Sequence, residues 1–185
     1  FRIDPPTWQA IAAASDSIDS VSSERIAAEF RRMLSHARRA EAIESLLSCG
    51  LLRGFLPEIA AALEHDVARR DRVRTALSNL ALGDFATAFG LLIDLTQEVR
   101  PLEWASEFSR RLRLSGQERE TIEQVITARP WLTNASEPTW PQVQPFLAGR
   151  FGRETLEASR AWSMVDPAVR PQVEWCAERA SWSPE

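Results

Sequence analysis

Phe85-Ala86-Thr87-Ala88-Phe89-Gly90-Leu91-Leu92-Ile93-Asp94-Leu95 is apolar on nearly every side of a helical wheel. A helix at a protein surface carries one apolar stripe, whereas one apolar all round belongs in the interior, wrapped by other helices. This stretch therefore predicts a central helix and a fold built around it. Downstream, Pro101 starts the next helix with Trp104, Phe108 and Leu112 inward. Ser115-Gly116-Gln117-Glu118 then fits a capping box heading a helix that bears Ile122, Val125 and Ile126.

Helical periodicity extends in both directions, and no segment alternates apolar and polar residues with β-branched enrichment. Asp4 and Pro5 open a first helix carrying Trp8, Ile11 and Ala12 inward, broken by the serines and aspartates of 15–22. Ser22 caps a second helix with Ile26, Phe30, Met33 and Leu34 on one stripe. A third runs from about Ala37 to Ser48, ended by Gly50. Leu51 to Pro57 reads as a buried turn, and Glu58 to Leu82 as one long helical region ended by Gly83. Pro130, Pro138 and Pro141 punctuate a loop, and two or three final helices carry Val143, Phe146 and Leu147, then Leu156 and Trp162, then Val173 and Cys176. The expectation is an all-α single body of about eight to ten helices without a sheet.

Composition sets the outer limits. The 185 residues include 22 basic side chains, all arginine, against 26 acidic ones, a formal charge of −4. An apolar content of 44% is that of a globular chain and not of a disordered one. No apolar run approaches the ~20 residues of a membrane span. Two cysteines, Cys49 and Cys176, without CxxC spacing read as buried thiols of a cytoplasmic protein. The start at Phe1 resembles neither a signal nor a transit peptide and leads us to expect a trimmed chain.

Few motifs carry chemistry. There is no glycine-rich phosphate loop, no nucleophile elbow and no zinc spacing. His36, His65-Asp66 and Asp94 supply, in order, the residue types of a metal-dependent HD phosphohydrolase, although His65-Asp66 sits in a charge-dense helical stretch. Arg25, Arg31, Arg32, Arg38 and Arg39 form one basic run with His36, and Arg69, Arg70, Arg72 and Arg74 another. Guanidinium groups hold phosphates in bidentate fashion, so the two runs could track a nucleic-acid backbone. Composition alone favours a solvated face balanced by glutamates. Trp131, Trp140, Trp175 and Trp182 could stack on bases but suit core positions better.

Phe1-Arg2-Ile3-Asp4-Pro5-Pro6-Thr7, Ser22-Ser23-Glu24-Arg25-Ile26-Ala27-Ala28-Glu29-Phe30, Gly50-Leu51-Leu52 and Leu56-Pro57-Glu58 resemble, in this order, the neck of class II CCA-adding enzymes and bacterial poly(A) polymerases. Arg111-Leu112-Arg113-Leu114-Ser115-Gly116-Gln117-Glu118-Arg119 is similar to a segment of family members with an HD-like body. Leu91-Leu92-Ile93-Asp94 stands where those members carry Leu-Leu-His-Asp, which makes the body resemble a degenerate HD module.

The resemblance implies a later neck over 1–58 and a body and tail over 59–185, packed continuously. It implies that Ser22, Glu24, Arg25 and Glu29 lie on a helix buttressing nucleotide selection, with Glu24 and Arg25 as ion-pair or hydrogen-bonding residues. It also implies that Arg31, Arg32, Arg38, Arg39, Arg69 and Arg70 hold tRNA or another RNA 3′ end. The catalytic head, with Mg2+ and ATP or CTP, would lie outside the chain. No catalytic, metal or cofactor residue, no DNA and no membrane partner is expected here. A metal-dependent phosphohydrolase and a helical protein-interaction module are the alternatives.

Overall fold

The computed structural model describes residues 3–81, 83–133 and 139–181. Among these there are twelve α-helices and two short 3-10 helices, and no strand. The helices are α1 (Pro5–Ala13), α2 (Ser23–Ser35), α3 (Arg39–Ser48), α4 (Leu51–Phe55), α5 (Pro57–His65) and α6 (Val67–Asn79). They continue with α7 (Phe85–Thr96), α8 (Pro101–Arg111), α9 (Gly116–Leu132), α10 (Trp140–Leu147), α11 (Gly152–Ser163) and α12 (Arg170–Ala180).

Every residue of α7 is buried, as its all-round apolarity requires. Asp84 caps it by accepting from the Thr87 N–H at 2.8 Å. α2, α5, α6, α8, α9 and α11 pack around it. The approach of α9 is close because Gly90 has no side chain: a Cβ there would sit 3.2 Å from Val125. Phe30, Phe85, Phe89 and Phe108 stack or meet edge to face about this axis, tying α2, α7 and α8 together. The core cluster runs from Ala27 to Ala161 and crosses residue 58 without a break. A smaller cluster of Ala128, Leu132, Val143 and Cys176, with Trp140 and Trp175 against it, joins the ends of α9, α10 and α12.

The capping box of Ser115 and Glu118 is present, with both reciprocal bonds. Gly50 follows α3 in the left-handed region at φ 83°, where a Cβ would be strained. Four expectations are corrected. α1 buries none of its residues; Trp8, Ile11 and Ala12 are only half-buried, because the helix packs on the Ser15–Ser20 3-10 turn and not on the core. The Leu51–Pro57 turn contains helix α4, because burying Leu52 and Phe55 repays one helical turn. The long 58–82 helix divides at Asp66, whose extended backbone ends α5 and whose side chain caps α6. Pro130 lies inside α9: near the helix end it forfeits a single hydrogen bond, and continuing the helix buries Leu132 completely. These divisions put the helix count above the expected one. Phe1, Arg2, Leu82, Pro138 and Trp182, each named in a sequence-based expectation, lie outside the described residues.

Candidate nucleic-acid interface

α3 forms the floor of the basic region, with α2 on one side and α6 on the other. Between α3 and α6 is a hollow of about 490 Å3 lined by Glu44, Ser45, Ser48, Arg70, Arg74 and Ser78. Beside α2 is a second of about 410 Å3, lined by Arg32, Met33, His36, Arg38, Glu41 and Ser45. Glu41 and Ser45 border both, so the hollows meet over the exposed face of α3.

The tertiary structure sorts the arginines into three kinds. Arg39 is 2% exposed. Its guanidinium donates to the Leu34 carbonyl at 2.9 Å, the Leu80 carbonyl at 2.5 Å and the Leu77 carbonyl at 3.5 Å, tying the end of α2 to the end of α6. Burial pulls its pKa down, and no phosphate can reach it. The expectation that Arg39 holds RNA is corrected: it is a buried cross-brace whose Nε and Nη1 donate to helix-end carbonyls.

Arg31, Arg69 and Arg70 form the second kind. Arg31 donates to both carboxylate oxygens of Glu118, at 2.5 and 2.9 Å, joining α2 to the start of α9. That partner holds the Glu118 carboxyl down at about 2, against the burial that opposes it. Arg70 makes a forked pair with Glu44 across the larger hollow. Arg69 turns the other way, to Asp66 at 3.7 Å and Glu98 at 3.3 Å, and does not line either hollow.

The third kind is exposed and loosely held. Arg32 pairs with Glu29 at 2.8 Å, Arg38 with Glu41 at 3.5 Å and Arg74 with Asp71 at 2.8 Å, each within one helical turn. Their side chains are 77%, 66% and 59% exposed. Such pairs contribute about 0.3–0.5 kcal/mol and exchange readily for a stronger anion. Arg74 was read as part of the second basic run but not among the RNA-holding residues, and the serines were missed. The signal was available: Arg74 stands four residues after Arg70 and so shares its helix face.

The remaining resemblance residues are accounted for. Ser22 occupies the N-cap of α2 with extended backbone, without a side-chain capping bond. Glu24 pairs with Arg113 across to the α8–α9 connection. Glu29 is held by Arg32. Arg25 is exposed and, with Glu24 and Glu29 both taken, has no acidic partner among the described residues.

His36, His65, Asp66 and Asp94 do not assemble. His36 Nδ1 accepts from the Arg38 N–H at 3.0 Å, and His65 Nδ1 meets the Ala61 carbonyl at 2.7 Å. Asp66 accepts from the Arg69 N–H at 2.9 Å, which lowers its pKa. Asp94 is taken by Arg129 inside the body. Among the described residues no three His, Cys, Asp or Glu side chains are grouped to hold a metal. Trp140 and Trp175 meet edge to face at 6.3 Å in the smaller core cluster, while Trp131 is half-exposed and stacks on Phe146. Both cysteines are buried free thiols. No helix among the described residues is long and apolar enough to cross a membrane.

Residues 1–63 match a family described as the probable RNA and SrmB-binding site of polymerase A, and these 63 of 185 residues include α2, α3 and the smaller hollow. No curated protein and no solved structure matches the chain. In residues 1–63 the chain thus carries a region similar to the RNA-binding site of poly(A) polymerase.

Proposed function

We propose that this chain is the RNA-holding helical region of an RNA nucleotidyltransferase, a poly(A) polymerase or CCA-adding enzyme, with tRNA or another RNA 3′ end as its partner. The catalytic head, with its Mg2+ and ATP or CTP, belongs to another part of that cytoplasmic enzyme. The observation that carries this reading is the similarity of residues 1–63 to the RNA-binding site of polymerase A.

The geometry supports it by offering a place for the backbone. Arg32 and Arg38 border the hollow on one side of α3, and Arg70 and Arg74 the hollow on the other. A phosphate carries its full charge into charge-assisted bonds, so it competes well with an exposed carboxylate one turn away. Contacts of this kind read backbone and shape rather than sequence, and they require a local basic track and not a basic protein. Ser78 adds a hydroxyl along the path, whereas the Ser45 and Ser48 hydroxyls donate to the Glu41 and Ser45 carbonyls of their own helix. Filter binding of tRNA and of oligoadenylate to the chain and to its Arg32→Ala/Arg38→Ala/Arg74→Ala variant tests the assignment; equal binding by the two proteins would refute it.

A further inference from the structure

The described tryptophans beyond α8 differ in what covers their rings. The Arg129 guanidinium lies 4.5 Å from the centre of the Trp162 ring, and that of Arg179 lies 4.0 Å from Trp175. Trp140 meets Trp175 edge to face. Trp131, in the last turn of α9, is 41% exposed, and no other aromatic side chain among the described residues is so open. Phe146 of α10 stacks on it at 6.2 Å with 24° between the planes, and no guanidinium among the described residues lies over it. One face of the indole is therefore backed and the other meets water.

The backing ring is held by a tight turn. The Thr155 hydroxyl donates to the Phe146 carbonyl at 3.3 Å, and a Cβ on Gly152 would overlap the Leu147 carbonyl, so only glycine lets α11 start this close to the end of α10. Two arginines stand on this turn. Arg150 is 63% exposed and 3.6 Å from Glu120, an ion pair that solvent weakens. Arg153 is exposed and has no carboxylate within ion-pair distance among the described residues; Glu157 is taken by Arg160, and Glu154 buries its Oε2. An apolar side chain of a protein would use the indole alone. A nucleotide carries a π face and a phosphate on one unit, and so uses the indole and the arginines together.

We propose that Trp131, backed by Phe146, is a stacking platform for an unpaired RNA base, with Arg150 and Arg153 on the flanking phosphates. The platform rests on the RNA reading above, and it is a second contact, outside residues 1–63 and apart from the basic track over α3.

Oligoadenylate and an abasic ribose-phosphate oligomer of the same length are the probes. Tryptophan emission of the full chain, parent minus Trp131→Phe, isolates the exposed indole. Oligoadenylate is expected to quench it saturably and the abasic oligomer to leave it unchanged. Trp131→Leu, which keeps an apolar contact to Phe146, should bind oligoadenylate about tenfold more weakly, and Trp131→Phe, which keeps a π face, within about threefold of the parent. All three should bind the abasic oligomer alike, which also reports that the variants are folded. Arg150→Ala/Arg153→Ala should make the slope of log affinity against log salt shallower by about 1, at ~0.7 per lost contact.

Absent quenching, equal quenching by the abasic oligomer, or equal loss of both probes in Trp131→Leu overturns the platform. The two readings fail separately. If the Arg32→Ala/Arg38→Ala/Arg74→Ala variant binds oligoadenylate more weakly while Trp131 is not quenched, the platform alone falls; if neither oligomer binds the parent chain, the RNA reading falls with it.

Discussion

Asp94 of α7 and Arg129 of α9 meet as an ion pair inside the helical body, with the carboxylate 3% exposed and the guanidinium 4.5 Å from the centre of the Trp162 ring. Asp94 Oδ1 is buried without a hydrogen-bond partner. The pair joins three helices, yet burial outweighs the Arg129 charge and pushes the Asp94 carboxyl up to about 6.

A raised carboxyl pKa means that the folded state holds the proton more tightly than the unfolded chain. The stabilisation is full below the ordinary aspartate value of 3.8 and is lost as pH rises through about 6. Asp94→Asn removes this titration. Urea unfolding at pH 4 and pH 7 should show the stability difference, parent minus variant, falling by about 2 kcal/mol over that interval. A difference independent of pH would refute the assignment.

Glu118 behaves in the opposite sense. Its carboxyl is held down at about 2, so its contribution is present above the ordinary glutamate value of 4.5 and is lost as pH falls from there through about 2. Allowing for the partial exposure of the Arg31 pair, Glu118→Gln should cost about 1–2 kcal/mol at pH 7. The gap should close towards pH 2. Chemical denaturation across that range is the check.

Removing Arg39 leaves the carbonyls of Leu34, Leu77 and Leu80 without their buried donor. Arg39→Ala should cost about 3 kcal/mol or more, because lost packing adds to the unpaired groups. Arg38→Ala, one residue away and exposed, should change stability by less than about 0.5 kcal/mol. Thermal melts of the two variants side by side decide the point.

RNA affinity should show the reverse ranking. The Arg32→Ala/Arg38→Ala/Arg74→Ala variant should keep its melting temperature and bind oligoadenylate more weakly. Its slope of log affinity against log salt should be shallower by about 2, at ~0.7 per lost phosphate contact on a single strand. Salt titration by filter binding or fluorescence anisotropy measures both.

The helical architecture was legible because its signals are local. The all-round apolarity of 85–95, the Asp4-Pro5 opening, the Ser115–Glu118 capping box and the turn at Gly50 each act over a few residues, and each is found as the periodicity implies. The divisions at Leu56 and Asp66 were less legible, since burial decides whether a marginal turn of helix is worth forming. The candidate site was legible as a composition and not as an arrangement. Arg38 and Arg39 are neighbours in one basic run, yet one is exposed and the other sealed beneath two helix ends.

Local chemistry thus determined by itself that this chain is a body of helices around an apolar axis, and a short set of neck-like segments pointed to RNA. Only the tertiary structure decided which arginines are free to act. Arg31 finds Glu118 across 87 residues, Arg39 finds Leu80 across 41, and Arg70 finds Glu44 across 26. Helix formation depends on neighbours within a turn, whereas the solvation and pairing of a guanidinium depend on what the fold brings against it from afar.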